Sequence, residues 1–148
     1  MLPEIWSYEL FETYVPPNCN FSKPLRYGTD YENYDGRKHY ADNTVGGYYT
    51  VRLAILEKLK EMKRQSSVLA LRFITDEYTM PLGVWVTREA TRKAMSSNPI
   101  EFSSKELMLE YARKLIKRRF SYNVDYLLNV SKVLKNIKQQ TKLERFIS

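Results

Sequence analysis

Side chains that carry out catalysis or bind metal ions are scarce in this sequence of 148 residues. His39 is the one histidine and Cys19 the one cysteine, which excludes multi-histidine and cysteine-rich metal centres and an intramolecular disulfide. Neither a G-x-x-x-x-G-K-[ST] phosphate loop nor a G-x-S-x-G nucleophile turn occurs. The sequence thus has no recognisable catalytic constellation, and we predict no cofactor and no metal. It favours a protein without enzymatic activity while leaving that question open.

Acidic side chains are concentrated in a turn-rich segment of the first third of the chain. They are Asp30, Glu32, Asp35 and Asp42. Clustered carboxylates can bind a divalent cation, although a solvated acidic loop has the same composition. A metal-dependent nuclease therefore stays open as an alternative function.

Two adjacent glycines, Gly46 and Gly47, precede the first long helical pattern. Backbone N–H groups at a helix start attract anions, and glycine permits close approach. Arg52, one turn further on, adds a positive charge, so these residues are candidates for binding a phosphate. The alternative is that the glycines allow a helix to pack closely on a sheet.

The positive charge of the chain is concentrated near its C-terminus. The net charge is +7, and residues 111–148 contain ten lysines and arginines against two acidic residues. A local basic patch attracts polyanions, so this region is a candidate nucleic-acid-binding surface. The candidate contact residues are Arg113, Lys117, Arg118, Lys132, Lys135 and Lys138. A plain solvated face is the alternative.

The last nine residues contain a pattern that is typical of sliding-clamp ligands. Gln140, Leu143, Phe146 and Ile147 follow the spacing Q-x-x-[aliphatic]-x-x-[aromatic]-[apolar], which resembles the motif that docks replication and repair proteins on PCNA. One helical turn would place the three apolar side chains on one side as a plug. The last apolar residue of such motifs is normally aromatic, so Ile147 predicts a weaker plug. The alternative is that this segment folds back on its own domain.

The length and the order of the elements predict one α+β domain: a small sheet with an antiparallel hairpin, packed with about four helices. We expect a strand over residues 5–14, an ordered aromatic loop over 18–36 and a helix over 48–64. The hairpin is predicted from residues 67–75 and 79–86, with Trp85 buried. Residues 1–139 then form the domain and residues 140–148 the clamp motif.

The remaining elements are predicted to be three helices. Thr87 is the expected cap of a helix over residues 88–95. Ser103 and Glu106 form a capping box for the next helix, whose core stripe is predicted at Leu107, Tyr111 and Leu115. The last helix is expected to follow Asn123; its predicted buried face consists of Leu127, Val130, Leu134 and Ile137.

Several stretches of the chain together carry a family resemblance. They are Trp6-Ser7-Tyr8-Glu9-Leu10, Gly46-Gly47-Tyr48-Tyr49 with Arg52-Leu53-Ala54, Arg64-Gln65, and Pro81-Leu82-Gly83-Val84-Trp85 followed by Arg88-Glu89. With them the chain resembles the C-terminal region of the archaeal Nre DNA repair proteins. The resemblance covers most of residues 4–95. It implies DNA damage repair, an archaeal host and no established catalytic activity. Members of that family usually have a further N-terminal region, so a separate chain supplying it is an expected partner.

These observations lead to one principal function and two alternatives. The principal hypothesis is an accessory DNA damage repair protein that PCNA recruits to DNA. The first alternative is a stand-alone nucleic-acid-binding module that uses the basic C-terminal helices, and the second is a metal-dependent repair nuclease. We expect a cytoplasmic protein, because the first twenty residues contain no basic residue and no run of eighteen apolar residues occurs.

Overall fold

A three-stranded mixed sheet forms the centre of the molecule. The computed structural model describes residues 5–15, 26–77 and 83–137. Strand β1 (Ser7–Tyr14) lies in the middle, antiparallel to β2 (Tyr27–Glu32) and parallel to β3 (Ser67–Ile74). The predicted α+β class with a small sheet is confirmed.

Helices cover both faces of this sheet. They are α1 (Val45–Glu61), α2 (Trp85–Ser96), α3 (Lys105–Phe120), α4 (Asp125–Val130) and a further helical stretch over residues 132–137. Helix α1 packs on the face that carries Tyr8 and Leu10, whereas α3, α4 and the last stretch pack around Phe11 on the other face. None of the helices in the described ranges is long and apolar enough to cross a membrane.

Helix α1 forms as its apolar periodicity predicts. Tyr48, Val51, Ile55 and Leu59 are all buried against the sheet. Residues at this spacing share one face of a helix, so a single stripe joins α1 to β1 and β3. The helix begins before the predicted start, at Val45, and therefore includes both glycines.

In the described residues 83–86, the predicted second strand of the hairpin does not form. Residues 79–82 lie outside the described residues, and α2 already begins at Trp85. The antiparallel pair of the sheet consists of β1 and β2 instead. The stretch Val84-Trp85-Val86 favours a strand by composition, but here its local preference is overridden by packing against α1.

A hydroxyl contact with α1 fixes the first turn of helix α2. The hydroxyl of Thr87 lies 2.5 Å from the carbonyl oxygen of Val84 and 2.7 Å from the hydroxyl of Thr50. Thr87 is thus buried inside the first turn instead of preceding it. This geometry turns Trp85 outward, where 56% of the residue is exposed, so the prediction of a buried Trp85 is wrong.

Strand β2 lies inside the segment that was predicted to be an aromatic loop. Gly28 and Asp30 are residue types that are common in turns, but in β2 they contact the backbone just before α1. A Cβ atom at Gly28 would lie 2.8 Å from the carbonyl oxygen of Asn43, so a side chain would collide with the backbone there. Asp30 binds the same backbone through hydrogen bonds.

Helix α3 buries a different stripe from the one predicted. Ser104, one residue after Ser103, caps it by accepting a hydrogen bond from the Leu107 N–H at 3.2 Å. Leu107 and Tyr111 are exposed. The inner face consists of Leu109, Ala112, Ile116 and Phe120. Both stripes are apolar. The ring of Phe120 stacks on the ring of Phe73 of β3, with their centroids 4.7 Å apart, and this contact fixes which stripe faces inward.

Candidate functional site

The first candidate site, at the start of α1, is occupied by the protein's own side chains. A Cβ atom at Gly47 would lie 2.0 Å from Oε1 of Glu12, so a glycine lets the helix approach this strand. Arg52 donates from Nε to Oε1 of Glu32 at 2.8 Å. Its guanidinium also lies 5.8 Å from the ring centroid of Trp6. These contacts favour close helix–sheet packing over phosphate binding.

Asp30 binds the backbone that leads into α1. Its Oδ2 accepts hydrogen bonds from the Asn43 N–H at 3.0 Å, the Thr44 N–H at 2.7 Å and the Thr44 hydroxyl at 2.9 Å. Burial by itself raises the pKa of the Asp30 carboxyl, but these hydrogen bonds and Arg37 together hold that pKa below its ordinary value. Asp30 thus adds a negative charge next to Thr44, the residue before α1, which disfavours a phosphate close to it.

Glu32 is the centre of a second buried network on the same face of the sheet. It accepts hydrogen bonds from Nε1 of Trp6 at 2.7 Å, from the Tyr48 hydroxyl at 2.9 Å and from Arg52. Burial and the Glu32 carboxylate both raise the pKa of Tyr48, so its phenol stays protonated at neutral pH. The network therefore holds its proton donors in fixed positions, as a structural carboxylate does.

The acidic residues considered for metal binding do not come together. Asp30 and Glu32 are buried and engaged with arginines, whereas Asp35 and Asp42 are exposed. Within the part of the chain that the structure describes, no three His, Cys, Asp or Glu side chains are grouped so that they could hold a metal ion. No described residue gives support to the nuclease alternative.

Sequence reasoning missed the role of Glu9, which joins the central strand to the last helical stretch. Its carboxylate accepts hydrogen bonds from the Ser131 hydroxyl at 2.6 Å and from the N–H groups of Lys132 at 3.1 Å and Val133 at 3.2 Å. Those N–H groups start a helix and lack partners within it, so an acidic side chain serves as their cap. The one indication in the sequence was a glutamate, Glu9, among the apolar and aromatic residues of β1.

The basic candidates fall into two groups. On α3, Arg113 donates to Asp125 at 2.6 Å, while Lys117 and Arg118 are exposed in the last turn. On the last helical stretch, Lys132 and Lys135 are exposed, and the ammonium of Lys132 lies 5.7 Å from the ring centroid of Tyr31. These groups are attached to different elements. Lys138, the third member of the predicted lysine stripe, lies outside the described residues.

The clamp motif also lies outside the described residues, so Gln140, Leu143, Phe146 and Ile147 have no described geometry. The helical stretch that precedes it is well anchored. Ile137 is buried, and the Asn136 side-chain amide donates to the Tyr31 hydroxyl at 2.7 Å. Together with the cap from Glu9, these contacts fix the chain to the sheet three residues before Gln140.

Comparison with known sequences gives a family match over most of the chain. The family described as "Archaeal Nre, C-terminal" matches residues 32–146. The chain belongs to the archaeal Nre family. The resemblance inferred from the sequence motifs is thus confirmed, and it extends well past residue 95.

Three curated relatives have the names of repair proteins. DNA repair protein NreA of Archaeoglobus fulgidus is 37% identical over 79% of this chain and 30% of its own length. NreA of Haloferax volcanii is 37% identical over 64% of this chain and 23% of its own length. DNA repair protein NreB of A. fulgidus is 32% identical over 97% of this chain and 36% of its own length. The chain thus spans about a third of these relatives or less, and no solved structure matches it.

Proposed function

We propose that this chain is an accessory DNA damage repair protein that the sliding clamp PCNA recruits to DNA. Residues 1–139 act as the folded part and residues 140–148 as the docking motif. Its proposed setting is the archaeal cytoplasm. The repair role is supported by the Nre family and by the names of the three relatives.

The observation that carries the proposal is the pattern of the last nine residues. Leu143, Phe146 and Ile147 have the spacing of an apolar plug, and Gln140 carries an amide that can donate and accept hydrogen bonds beside the pocket. Burying such apolar side chains contributes about 1.5–3 kcal/mol each. Ordering the segment offsets part of this gain, so the expected dissociation constant is roughly micromolar.

Residues 132–137, which precede the motif in the sequence, are anchored to the folded domain. The preceding helical stretch is fixed by Glu9 and Tyr31, on the sheet face opposite α1. A docked motif would therefore hold the whole domain close to the clamp. Removal of the motif leaves these anchoring contacts in place, because all of them involve residues before 138.

The proposal is tested by capture of the 148-residue chain on the immobilised sliding clamp of its own host. We expect retention of the full chain and loss of retention for a chain that ends at residue 139. Circular dichroism of the shortened chain should be that of a folded domain. Equal retention of both chains would refute docking through residues 140–148.

The substitution Ile147→Phe is a second test, in which clamp binding should become stronger instead of weaker. Clamp motifs normally end in an aromatic residue, and phenylalanine buries more apolar surface than isoleucine. We therefore expect tighter clamp binding by this variant. Weaker or unchanged binding would show that Ile147 does not occupy the aromatic position of the motif.

The exposed basic residues support a second candidate function, which is direct binding of nucleic acid. Lys117, Arg118 and Arg119 lie together in the last turn of α3, where the C-terminal end of the helix dipole favours cations. Lysines and arginines on a helix face bind phosphates and read little sequence. A stand-alone module needs only DNA, whereas clamp recruitment needs the clamp, so DNA binding measured with the clamp absent separates the two.

A further inference from the structure

Strand β3 has the composition of a buried strand, but it lies at the edge of the sheet. Six of its eight residues are apolar. It pairs with β1 on one side, and no strand in the described residues pairs with its other side. Edge strands are usually protected by charges, prolines or a covering element, because a free apolar edge invites another strand. Arg72 is the one charged residue of β3.

An apolar groove runs beside this edge. It has a volume of about 600 Å³ and lies between β3 and α2, with Leu10, Val51 and Ile55 at its floor. Helix α2 forms the far wall with Ala90 and Ala94, both of which are exposed among the described residues. Small side chains on that wall leave room for a further chain next to the strand.

The longer relatives contain the additional chain that could fill this groove. The matching family is described as the C-terminal part of Nre, and the chain corresponds to only 36% of NreB and 30% of NreA. The carbonyl oxygen of Ile5 accepts a hydrogen bond from the Ser67 hydroxyl at 3.1 Å. Because β1 and β3 run parallel, their first residues are neighbours, and Val68, the next residue of β3, lines the groove.

We propose that the groove between β3 and α2 receives an extended apolar segment of the N-terminal region of Nre proteins, which pairs with the free edge of β3. Pairing satisfies the outward backbone groups of β3, and the apolar side chains of the segment fill the floor of the groove. A separate chain that supplies this region would bind at the same place. This inference does not depend on clamp docking.

Hydrogen exchange of the 148-residue chain and of full-length A. fulgidus NreB tests the proposal directly. In a parallel pair, only alternate amides of β3 bond to β1. The other amides of residues 67–74 point away from β1. At the aligned positions of NreB, we expect such amides to exchange at least about a hundredfold more slowly than in the 148-residue chain, since pairing protects them. If every second amide of this strand still exchanges fast in NreB, as in the 148-residue chain, the proposal is overturned.

An arginine at the groove wall gives a second measurement. Ala90→Arg should leave the thermal midpoint of the 148-residue chain unchanged within about 2 °C, because Ala90 is exposed there. An arginine at the NreB position aligned with Ala90 should lower the midpoint of NreB by several degrees. Ser96→Arg, on the same helix but outside the groove, is the control and should have no effect in either protein.

Two other occupants of the groove would be recognised by the same experiments. Sedimentation of the 148-residue chain tests a second copy, and a dimer that Ala90→Arg dissociates would overturn the proposal. If instead the chain's own residues cover the edge, all amides of residues 67–74 are already slow to exchange in the 148-residue chain, and the proposal also fails.

Discussion

Buried carboxylates connect the strands to the helices on both faces of the sheet. Glu9, Asp30 and Glu32 are 1%, 5% and 3% exposed, and each accepts at least three hydrogen bonds. A buried charge is tolerated only when its acceptors are satisfied. Stability at the residue scale should therefore depend on these three groups much more than on the exposed ion pairs.

Asp30→Asn is expected to lower the free energy of unfolding by about 1–3 kcal/mol at pH 7, because hydrogen bonds to a charged acceptor are lost. The pKa of Asp30 is lowered in the folded protein. Its stabilising contribution is thus present above the unfolded pKa of about 3.9 and is lost as the pH falls through the folded value. Urea unfolding at pH 7 and at pH 3 measures this difference, which should shrink at pH 3.

The matched control for Asp30 is Asp42→Asn, because Asp42 is exposed and close in sequence. Its effect on unfolding should stay within about 0.5 kcal/mol at either pH. Equal effects of the two substitutions would contradict a special role for Asp30.

Glu9→Gln should loosen the last helical stretch. The amide group of glutamine has one acceptor oxygen, whereas both carboxylate oxygens of Glu9 accept hydrogen bonds from Ser131, Lys132 and Val133. We expect a loss of about 1–3 kcal/mol and faster amide exchange over residues 132–137. Glu101→Gln, at an exposed site, serves as the control. Unchanged exchange over 132–137 would show that the cap does not hold this stretch.

Sequence patterns could not reveal these carboxylate contacts. Glu9 and Ser131 are 122 positions apart, and no local period relates them. Aspartate is typical of turns, yet Asp30 lies in β2 and accepts hydrogen bonds from the backbone before α1. The apolar residues of α1 were predictable, because their burial follows from a period of 3.6 residues.

At the scale of elements, the exposure of Trp85 makes a clear stability prediction. Trp85→Ala should cost about 1 kcal/mol or less, since more than half of the residue is already in contact with solvent. Ile55→Ala, at a site that is 2% exposed, should cost about 2–5 kcal/mol. Thermal unfolding of both variants is the measurement. A larger loss for Trp85→Ala than for Ile55→Ala would contradict the position of α2.

Elements with a strong internal pattern were predicted well, and elements decided by tertiary contacts were not. Strand β1, helix α1 and strand β3 follow from residue type and period alone. The start of α2 depends on a contact between Thr87 and Thr50, which lies on another helix. The order of the strands likewise depends on pairing between segments that are far apart in sequence.

At the scale of the whole molecule, the basic residues of α3 predict salt-dependent DNA binding. Replacing Lys117 and Arg118 together by alanine should weaken binding and reduce the log–log salt slope by roughly one unit per phosphate contact. Replacing Lys60 and Lys93, which are exposed on α1 and α2, removes the same charge elsewhere and is the control. Equal effects of both pairs on fluorescence anisotropy would indicate a general charge effect without a defined surface.

Titration of the 148-residue chain with the host's sliding clamp tests the central claim most directly. Calorimetry should give a roughly micromolar dissociation constant for the natural chain. Phe146→Ala should weaken it at least about tenfold, which corresponds to about 1.4 kcal/mol, because the main side chain of the plug is lost. Thr141→Ala, at a variable position of the motif, should leave the constant unchanged. Binding that is absent in the natural chain, or that Phe146→Ala does not weaken, would contradict the account.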